Sequence, residues 1–324
     1  MKEQKQLIDC INQAIHDFEY PTAARELFAP IRYTLDLGGK RIRPVLALMA
    51  ARLFSAKWED ALPAALGIEV FHNFTLLHDD LMDKADRRRG QPTVHVRWGD
   101  NAAILSGDAM QIMAYQLIAK TPSRYMAQVL ELFSATALEI CEGQQYDMEF
   151  ESRTDVRQEE YLEMIRLKTA VLLGCALKSG AIIGGASKAN AERLYEFGVN
   201  IGMAFQLKDD LLDVYGDPAV FGKNIGGDIL NNKKTFLLIS ALDNASPEQR
   251  EEIEAWLART DYDPAEKIAR FTELFTETGA RALCELKMKQ YYRVGIEALQ
   301  KVSVSDEAKA SLAHLADELM YREL

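Results

Sequence analysis

The sequence has little of what builds disulfide scaffolds, sheets, membrane spans or polyanion-binding surfaces. Its four cysteines, Cys10, Cys141, Cys175 and Cys284, are scattered without metal-ligand spacing. That argues against a cysteine-built metal site and fits thiols in a reducing cytoplasm better than a disulfide framework. Two-residue alternation and β-branched runs are scarce, which argues against a sheet protein. No Pro/Gly/Ser-rich linker or low-complexity stretch divides the 324 residues, so a single domain over 1–324 is expected. The formal net charge is −11, and no long basic stripe compensates it, which disfavours nucleic acid and anionic membrane as general partners. The segment MKEQKQLIDC lacks the apolar core of a signal peptide. The most apolar stretch, AVLLGCALKSGAIIGGA, is interrupted by Lys178 before it could span a bilayer, so a cytoplasmic protein without a transmembrane segment is expected.

What is present reads as helix almost throughout. With 48% hydrophobic and 27% charged residues, the chain can bury a large core and remain soluble. Ser246, Pro247 and Gln249 form a capping box with proline at the first helical position, and Asp263, Pro264 and Glu266 repeat the pattern. Gly279 suits the end of the helix that Asp263 begins, and Leu312, Leu315 and Leu319 make an apolar stripe behind Ser305 and Asp306. The expectation is an all-α bundle of about ten or more helices around a central cavity. Gly143, Gly174, Gly180, Gly184 and Gly185 fall in or near helical segments at some propensity cost, which points to close helix packing.

Against this background one acidic pattern stands out twice, DDLMD from Asp79 to Asp83 and DDLLD from Asp209 to Asp213, each in apolar surroundings. On a helix the first and last Asp of each pentad lie about 40° apart in azimuth and about 6 Å apart in height. Asp79 and Asp83 therefore share a face, as do Asp209 and Asp213. Acidic pairs at this spacing are often only a solvated face. Two copies facing one another across a cavity would instead offer hard oxygen donors to Mg²⁺ shared with substrate phosphates. Basic residues accompany both. GGKRIRP sets Lys40, Arg41 and Arg43 after Gly38 and Gly39, where a loop can approach a phosphate or simply be solvated. KADRRRGQPTVH puts Arg87, Arg88 and Arg89 within ten residues of Asp79, ending in a turn at Gly90 and Pro92. Adjacent arginines point in different directions and so suit two different diphosphates.

The motifs GGKRIRP, LLHDDLMDKADRRRG and FQLKDDLLD, in this order, resemble the trans-type isoprenyl diphosphate synthases of the polyprenyl synthetase family, from about Lys40 to Lys233. The resemblance implies an isoprenoid-synthase-type fold and a Mg²⁺-dependent prenyltransferase. Such an enzyme condenses allylic diphosphates (dimethylallyl, geranyl or farnesyl) with isopentenyl diphosphate, and family members suggest a homodimer. It implies that Lys40, Arg43, His72 and Arg89 bind isopentenyl diphosphate, and that Asp79, Asp83 and Asp209 ligate Mg²⁺. Arg88 would hold the allylic diphosphate, and Lys168, Thr169, Gln206, Lys223 and Lys233 would line its site. GKNIGGDILNNKK leaves open whether Lys233 or Lys234 reaches phosphate, and GQQYDM, with Gln144 and Asp147, resembles a further family motif. Thr169, Gln206 and the ring of Phe205 would stabilise the allylic cation. No side-chain base stands out, in keeping with proton loss to the released diphosphate. His78 and His95 read as structural.

Product length should follow from what blocks the cavity below the first pentad. Phe74 lies five residues before Asp79, about 7.5 Å down the helix, and Phe71 lies nearly one turn deeper. The resemblance makes Phe74 the floor, with Phe71 either a second stop or ordinary core. Thr75 is not the second aromatic of animal-type farnesyl synthases, and DDLMD lacks the insertion of the bacterial farnesyl type. Geranylgeranyl diphosphate is the expected product, with farnesyl diphosphate as the alternative. A terpene cyclase would be expected to replace DDLLD with an Asn/Ser/Glu metal motif, and a non-catalytic partner subunit would be expected to lose an acidic motif.

Overall fold

In the computed structural model, which describes residues 2–216 and 225–321, regular structure is almost entirely helical. The helices are α1 (Lys2–His16), α2 (Arg25–Asp36), α3 (Ile42–Arg52), α4 (Leu62–Met82), α5 (Val94–Trp98), α6 (Asp100–Ile118), α7 (Ser123–Ser152), α8 (Gln158–Ile165), α9 (Val171–Gly184) and α10 (Lys188–Tyr215). After these come α11 (Gly227–Leu230), α12 (Phe236–Asn244), α13 (Pro247–Ala258), α14 (Pro264–Glu277), α15 (Ala280–Gln300) and α16 (Asp306–Met320). The all-α expectation holds.

Local chemistry explains where several of these helices begin and end. Ser246 Oγ accepts the amide of Gln249, and Gln249 returns a bond to the amide of Ser246, closing the capping box at the start of α13. The carboxylate of Asp263 accepts the amides of Ala265 and Glu266 at 2.8 and 3.1 Å and so starts α14. Gly279 takes φ 75 beyond the last turn of α14, the left-handed conformation that lets the chain reverse into α15. Leu312, Leu315 and Leu319 are all buried, as their spacing requires.

The chain forms two compact units. One comprises Met1–Ser134, Cys175–Tyr195 and Ser303–Ser311, and the other Ala135–Gly174, Glu196–Val302 and Leu312–Leu324. In the first unit α4 is the central element. It is apolar nearly all round, and Ala64, Ala65, Gly67, Ile68, Val70 and Phe71 are buried as α3 and α6 pack on it. A buried ion pair joins Arg41 to Glu69 of α4, at 2.7 Å. Arg41 is further held by Asn12 Oδ1 and the carbonyl of Leu35, so the guanidinium of this loop residue is structural. In the second unit α12 is central, burying Phe236, Leu237, Leu238 and Ile239 within a cluster that includes Phe271 and Phe275 of α14.

One expectation is corrected in its reasoning. The helical run Gln158–Gly184 is long and apolar enough to cross a membrane despite Lys178, yet 78% of its apolar window is buried inside the protein. Burial, and not the interruption at Lys178, marks it as a core helix.

The glycines of α9 act as expected. A Cβ at Gly180 would overlap the carbonyl oxygen of Ala47, and one at Gly184 would stand 2.7 Å from that of Ala51, so α9 lies backbone to backbone on α3. Because the obstructing atoms are backbone, Gly180→Ala should destabilise the protein by about 2 to 3 kcal/mol through forced separation of the two helices. Urea denaturation checks this, and an unchanged midpoint would show that α3 can yield.

Candidate active site

In the first unit the acidic pentad ends α4. Asp80 faces inward and is buried, whereas Asp79 is partly exposed and Asp83, at the helix end, is exposed. The chain then forms a hairpin that the sequence did not suggest, with β1 (Arg87–Arg88) paired antiparallel to β2 (Gln91–Pro92). Arg89 and Gly90 make its turn, both at positive φ (52° and 76°). This geometry separates the two arginines. Arg88 Nε lies 2.9 and 2.8 Å from the two carboxylate oxygens of Asp80, and its Nη2 lies 2.7 Å from Asp80 and 3.6 Å from Asp79. Arg89, in the left-handed region, turns instead to the carbonyl of Gly38. Burial works against the charge on Arg88, but Asp80, Asp79 and Asp83 hold its pKa above the ordinary value.

The basic loop brings further cations to the same place. Gly38 and Gly39 have φ 74° and 140°, and a Cβ on Gly39 would stand 2.8 Å from the Arg89 guanidinium. Lys40 is exposed at the loop, and Arg43 reaches inward from the first turn of α3 to lie 3.1 Å from Nε2 of His72 on α4. Burial, with Arg43, Arg89, Arg88 and Arg41 adding to it, holds the imidazole well below its usual pKa. His72 is therefore neutral, and its Nε2 can accept from Arg43. Burial lowers Arg43 itself to about 10, with Glu69 opposing, and its Nε is buried with no hydrogen-bond partner.

The second unit carries DDLLD on α10. Asp209 and Asp213 are half-buried, while Asp210 is buried and accepts from Tyr161 at 2.5 Å and from Gln206 Nε2 at 3.2 Å. Burial and the charge of Asp228 push Asp210 up to about 8 against those two bonds. Asp213 accepts the amide of Asp228 at 3.0 Å and so ties the start of α11 to α10. Lys168 and Thr169 lie in a single π-helical turn, Arg166–Ala170, between α8 and α9. Lys168 pairs with Asp147 at 2.6 Å, and Thr169 donates to Gln206 Oε1 at 3.3 Å. Phe205 is half-buried beside Gln206, and Gln144 lies half-buried on α7 one turn before Asp147. Although burial pushes Asp147 up, Lys168 and Lys233 bring it below its ordinary value. Lys233 lines a cavity with Asp210, Asp228 and Phe271, whereas Lys234 donates to the carbonyl of Glu151 at 3.1 Å. Lys233 thus lies on the side of the acidic groups, and Lys234 turns to Glu151. Lys223 lies outside the described residues.

Phe74 is buried on α4, its ring edge-on to His78 with centroids 4.8 Å apart and tilted on Phe71 at 5.3 Å. Phe71 continues to Phe133 at 5.2 Å. His78 also packs over Gly107 of α6, and Nδ1 of His95 lies 3.2 Å from Thr93 Oγ1. Tyr161, Asp228 and the pairing role of Asp80 were missed. Tyr161 is 49 positions from Asp210 and carries no local signal.

The class expected from the sequence, a prenyl-transferring synthase, is confirmed by comparison with known proteins. Residues 24–275 match the polyprenyl synthetase family, and the chain belongs to that family. It is 44% identical over 236 residues to geranylgeranyl diphosphate synthase of Methanosarcina mazei, covering 72% of each chain. Its fold matches a crystal structure of geranylgeranyl pyrophosphate synthase with a TM-score of 0.94 and 43% identity over 99% of both chains. It also matches the geranylgeranyl pyrophosphate synthase of Corynebacterium glutamicum, solved in complex with isoprenyl diphosphate and magnesium, with a TM-score of 0.83 and 32% identity over 99% and 97% of the chains.

The π turn gives a test of the second unit. A Cβ on Gly143 of α7 would overlap the backbone nitrogen of Lys168, so the turn packs directly on this glycine. Gly143→Ala should cost about 2 to 3 kcal/mol of stability by overpacking. It should also lower turnover by roughly tenfold or more, because Lys168 and Thr169 are displaced together. Full activity in a folded Gly143→Ala protein would show that the turn is incidental.

Proposed function

We propose that the protein condenses allylic diphosphates with isopentenyl diphosphate to make geranylgeranyl diphosphate, using Mg²⁺. The observation that carries this reading is the cationic cluster of the first unit. Arg43, Arg88 and Arg89 crowd around a neutral His72, and Arg43 keeps a buried donor without a partner. Arg88 is balanced by Asp80, but Arg43 and Arg89 pair with no carboxylate among the described residues, and a diphosphate supplies the missing charge. The Corynebacterium relative's complex with isoprenyl diphosphate and magnesium supports it.

The donors fit the metal. Among the described residues no group of three or more His, Cys, Asp or Glu side chains could hold an ion unaided. Asp79, Asp83 and Asp209 present carboxylate oxygens at partly or fully exposed positions, hard donors of the kind Mg²⁺ takes alongside waters and substrate phosphates. Asp79, Asp83 and Asp209 are its proposed ligands, and the bound ion would neutralise charge building on the departing diphosphate. Lys40, Arg43, His72 and Arg89 hold isopentenyl diphosphate in this reading, while Arg88, Lys168, Lys223 and Lys233 hold the allylic diphosphate. The allylic carbon–oxygen bond breaks, the isopentenyl double bond attacks the resulting cation, and a proton leaves to the released diphosphate. Thr169, Gln206 and the face of Phe205 direct dipoles and π density at that cation. Because each unit carries one pentad, the two are proposed to act as one catalytic domain, 1–324. Exposed Ile104, Leu105 and Ile112 on α6 support a homodimer, and the four free cysteines support a cytoplasmic setting.

Incubating the purified protein with farnesyl diphosphate, isopentenyl diphosphate and Mg²⁺ should give the twenty-carbon diphosphate by mass spectrometry. Farnesyl diphosphate accumulating from shorter primers as the end product would favour the alternative, and cyclised hydrocarbon or no product would sink the proposal. Asp79→Ala and Asp83→Ala should each lose roughly 10² or more in turnover. Arg88→Ala should weaken chiefly the allylic substrate and Arg89→Ala chiefly isopentenyl diphosphate, each by about 1.5 to 3 kcal/mol. Equal effects on both substrates would mean that the arginines act only as a general field. Phe74→Ala should extend products to twenty-five carbons or more by opening space for another apolar unit. An unchanged product spectrum from an active Phe74→Ala enzyme would place the floor elsewhere.

A further inference from the structure

Lys267 of α14 is completely buried in the second unit, 0% exposed, and belongs to no motif of the sequence. Its ammonium donates to Asn232 Oδ1 at 2.7 Å and lies 4.4 Å from the ring centre of Tyr262 and 5.9 Å from that of Phe271. Among the described residues no carboxylate pairs with it. Burying a cation on one amide oxygen and two ring faces is costly, and a methionine would fill the same space without that cost. The ammonium is therefore explained by what it holds.

What it holds is the turn before Lys233. Asn232 is in the left-handed region at φ 53°, and its Nδ2 donates to the carbonyl of Leu257 at 3.3 Å, so both ends of its side chain are anchored. The Lys233 amide closes the turn on the carbonyl of Asp228 at 2.9 Å. Beyond the turn Lys233 enters the cavity lined by Asp210 and Asp228, while Lys234 departs toward Glu151. The same end of the second unit braces α11 twice more. Tyr262 donates to the carbonyl of Leu230 at 3.4 Å, and Gly226 lies so close to Ile268 that a Cβ there would stand 2.5 Å from it. We infer that Lys267 is a positioning residue for Lys233: by fixing Asn232 it sets the left-handed turn that sends Lys233, and not Lys234, into the acidic cavity. The inference rests on the reading of Lys233 as a ligand of the allylic diphosphate.

Two variants test it. Lys267→Met keeps the apolar stem and removes the ammonium, and Asn232→Gly keeps access to the left-handed turn but removes the anchor. Each should raise the allylic KM roughly tenfold, the effect of one lost hydrogen bond to a charged group, and leave the isopentenyl KM within about twofold. The double variant should be no worse than the worse single, because both remove one interaction. Without substrate, trypsin should cut after Lys233 and Lys234 faster in either variant than in the parent protein. An unchanged allylic KM in folded Lys267→Met overturns the inference. So does an equal rise in both KM values, which would mark Lys267 as merely structural. If Lys267→Met does not fold, the same split in Asn232→Gly decides. If the parent protein forms no prenyl diphosphate, the functional reading fails while the trypsin pattern still tests the turn, and an unchanged pattern overturns the anchoring itself.

Discussion

Every carboxylate that this protein sets into an apolar helix has to be compensated where it stands, and most of the functional architecture follows from how that is done. In the first unit Arg88 covers Asp80 and Arg41 covers Glu69. In the second, Lys168 covers Asp147, while Asp210 is met by Tyr161 and Gln206 and pushed up to about 8 by its burial. An uncompensated carboxylate at these depths would cost several kcal/mol. The compensating residues thus contribute to the stability of the fold. One acidic residue of each pentad, Asp80 or Asp210, is consumed inward by this requirement. The other members keep the more exposed positions that a hydrated cation and a phosphate need.

Strained backbone sits beside these compensated groups. Arg89 adopts φ 52° at the tip of a two-residue hairpin, Asn232 adopts φ 53° ahead of Lys233, and Lys168 and Thr169 occupy a π turn. The two left-handed residues cost of order 1 kcal/mol or more each and persist because tertiary contacts hold them, Gly38 for Arg89 and Lys267 for Asn232, while the π turn packs directly on Gly143. In each case the local backbone aims a cation, so where these basic residues point depends on tertiary contacts as much as on the sequence.

The electrostatics of the first unit also account for a histidine that is no acid–base group. His72 is half-buried among guanidinium groups, and burial and those charges hold its pKa well below the usual value, so it stays neutral and accepts from Arg43. Phe74 and Phe71 lie on the same helix that carries the pentad, and Phe133 of α7 continues the aromatic series. Charge at one end and apolar bulk further down α4 suit a ligand with an anionic head and a hydrocarbon tail.

Much of this was legible without coordinates, because it depends on spacing of up to one or two helical turns. The all-α class, the caps at Ser246 and Asp263, the shared face of each pentad and the divergence of Arg88 from Arg89 all follow from local periodicity and chemistry. What stayed hidden depends on residues far apart in sequence. The hairpin behind Arg89 was missed because two-residue strands leave no alternating pattern. The partner of Asp210 was missed because Tyr161 lies 49 positions away. Whether Lys233 or Lys234 meets the acidic cavity was undecidable from adjacent identical residues, since the answer depends on the buried ammonium of Lys267, 35 positions beyond Asn232. The sequence by itself determined which chemical groups are available and on which helix they lie. Tertiary structure alone decided which of them are compensated inward and which are left outward, because burial and a charged partner's distance are properties of packed elements and not of any one segment.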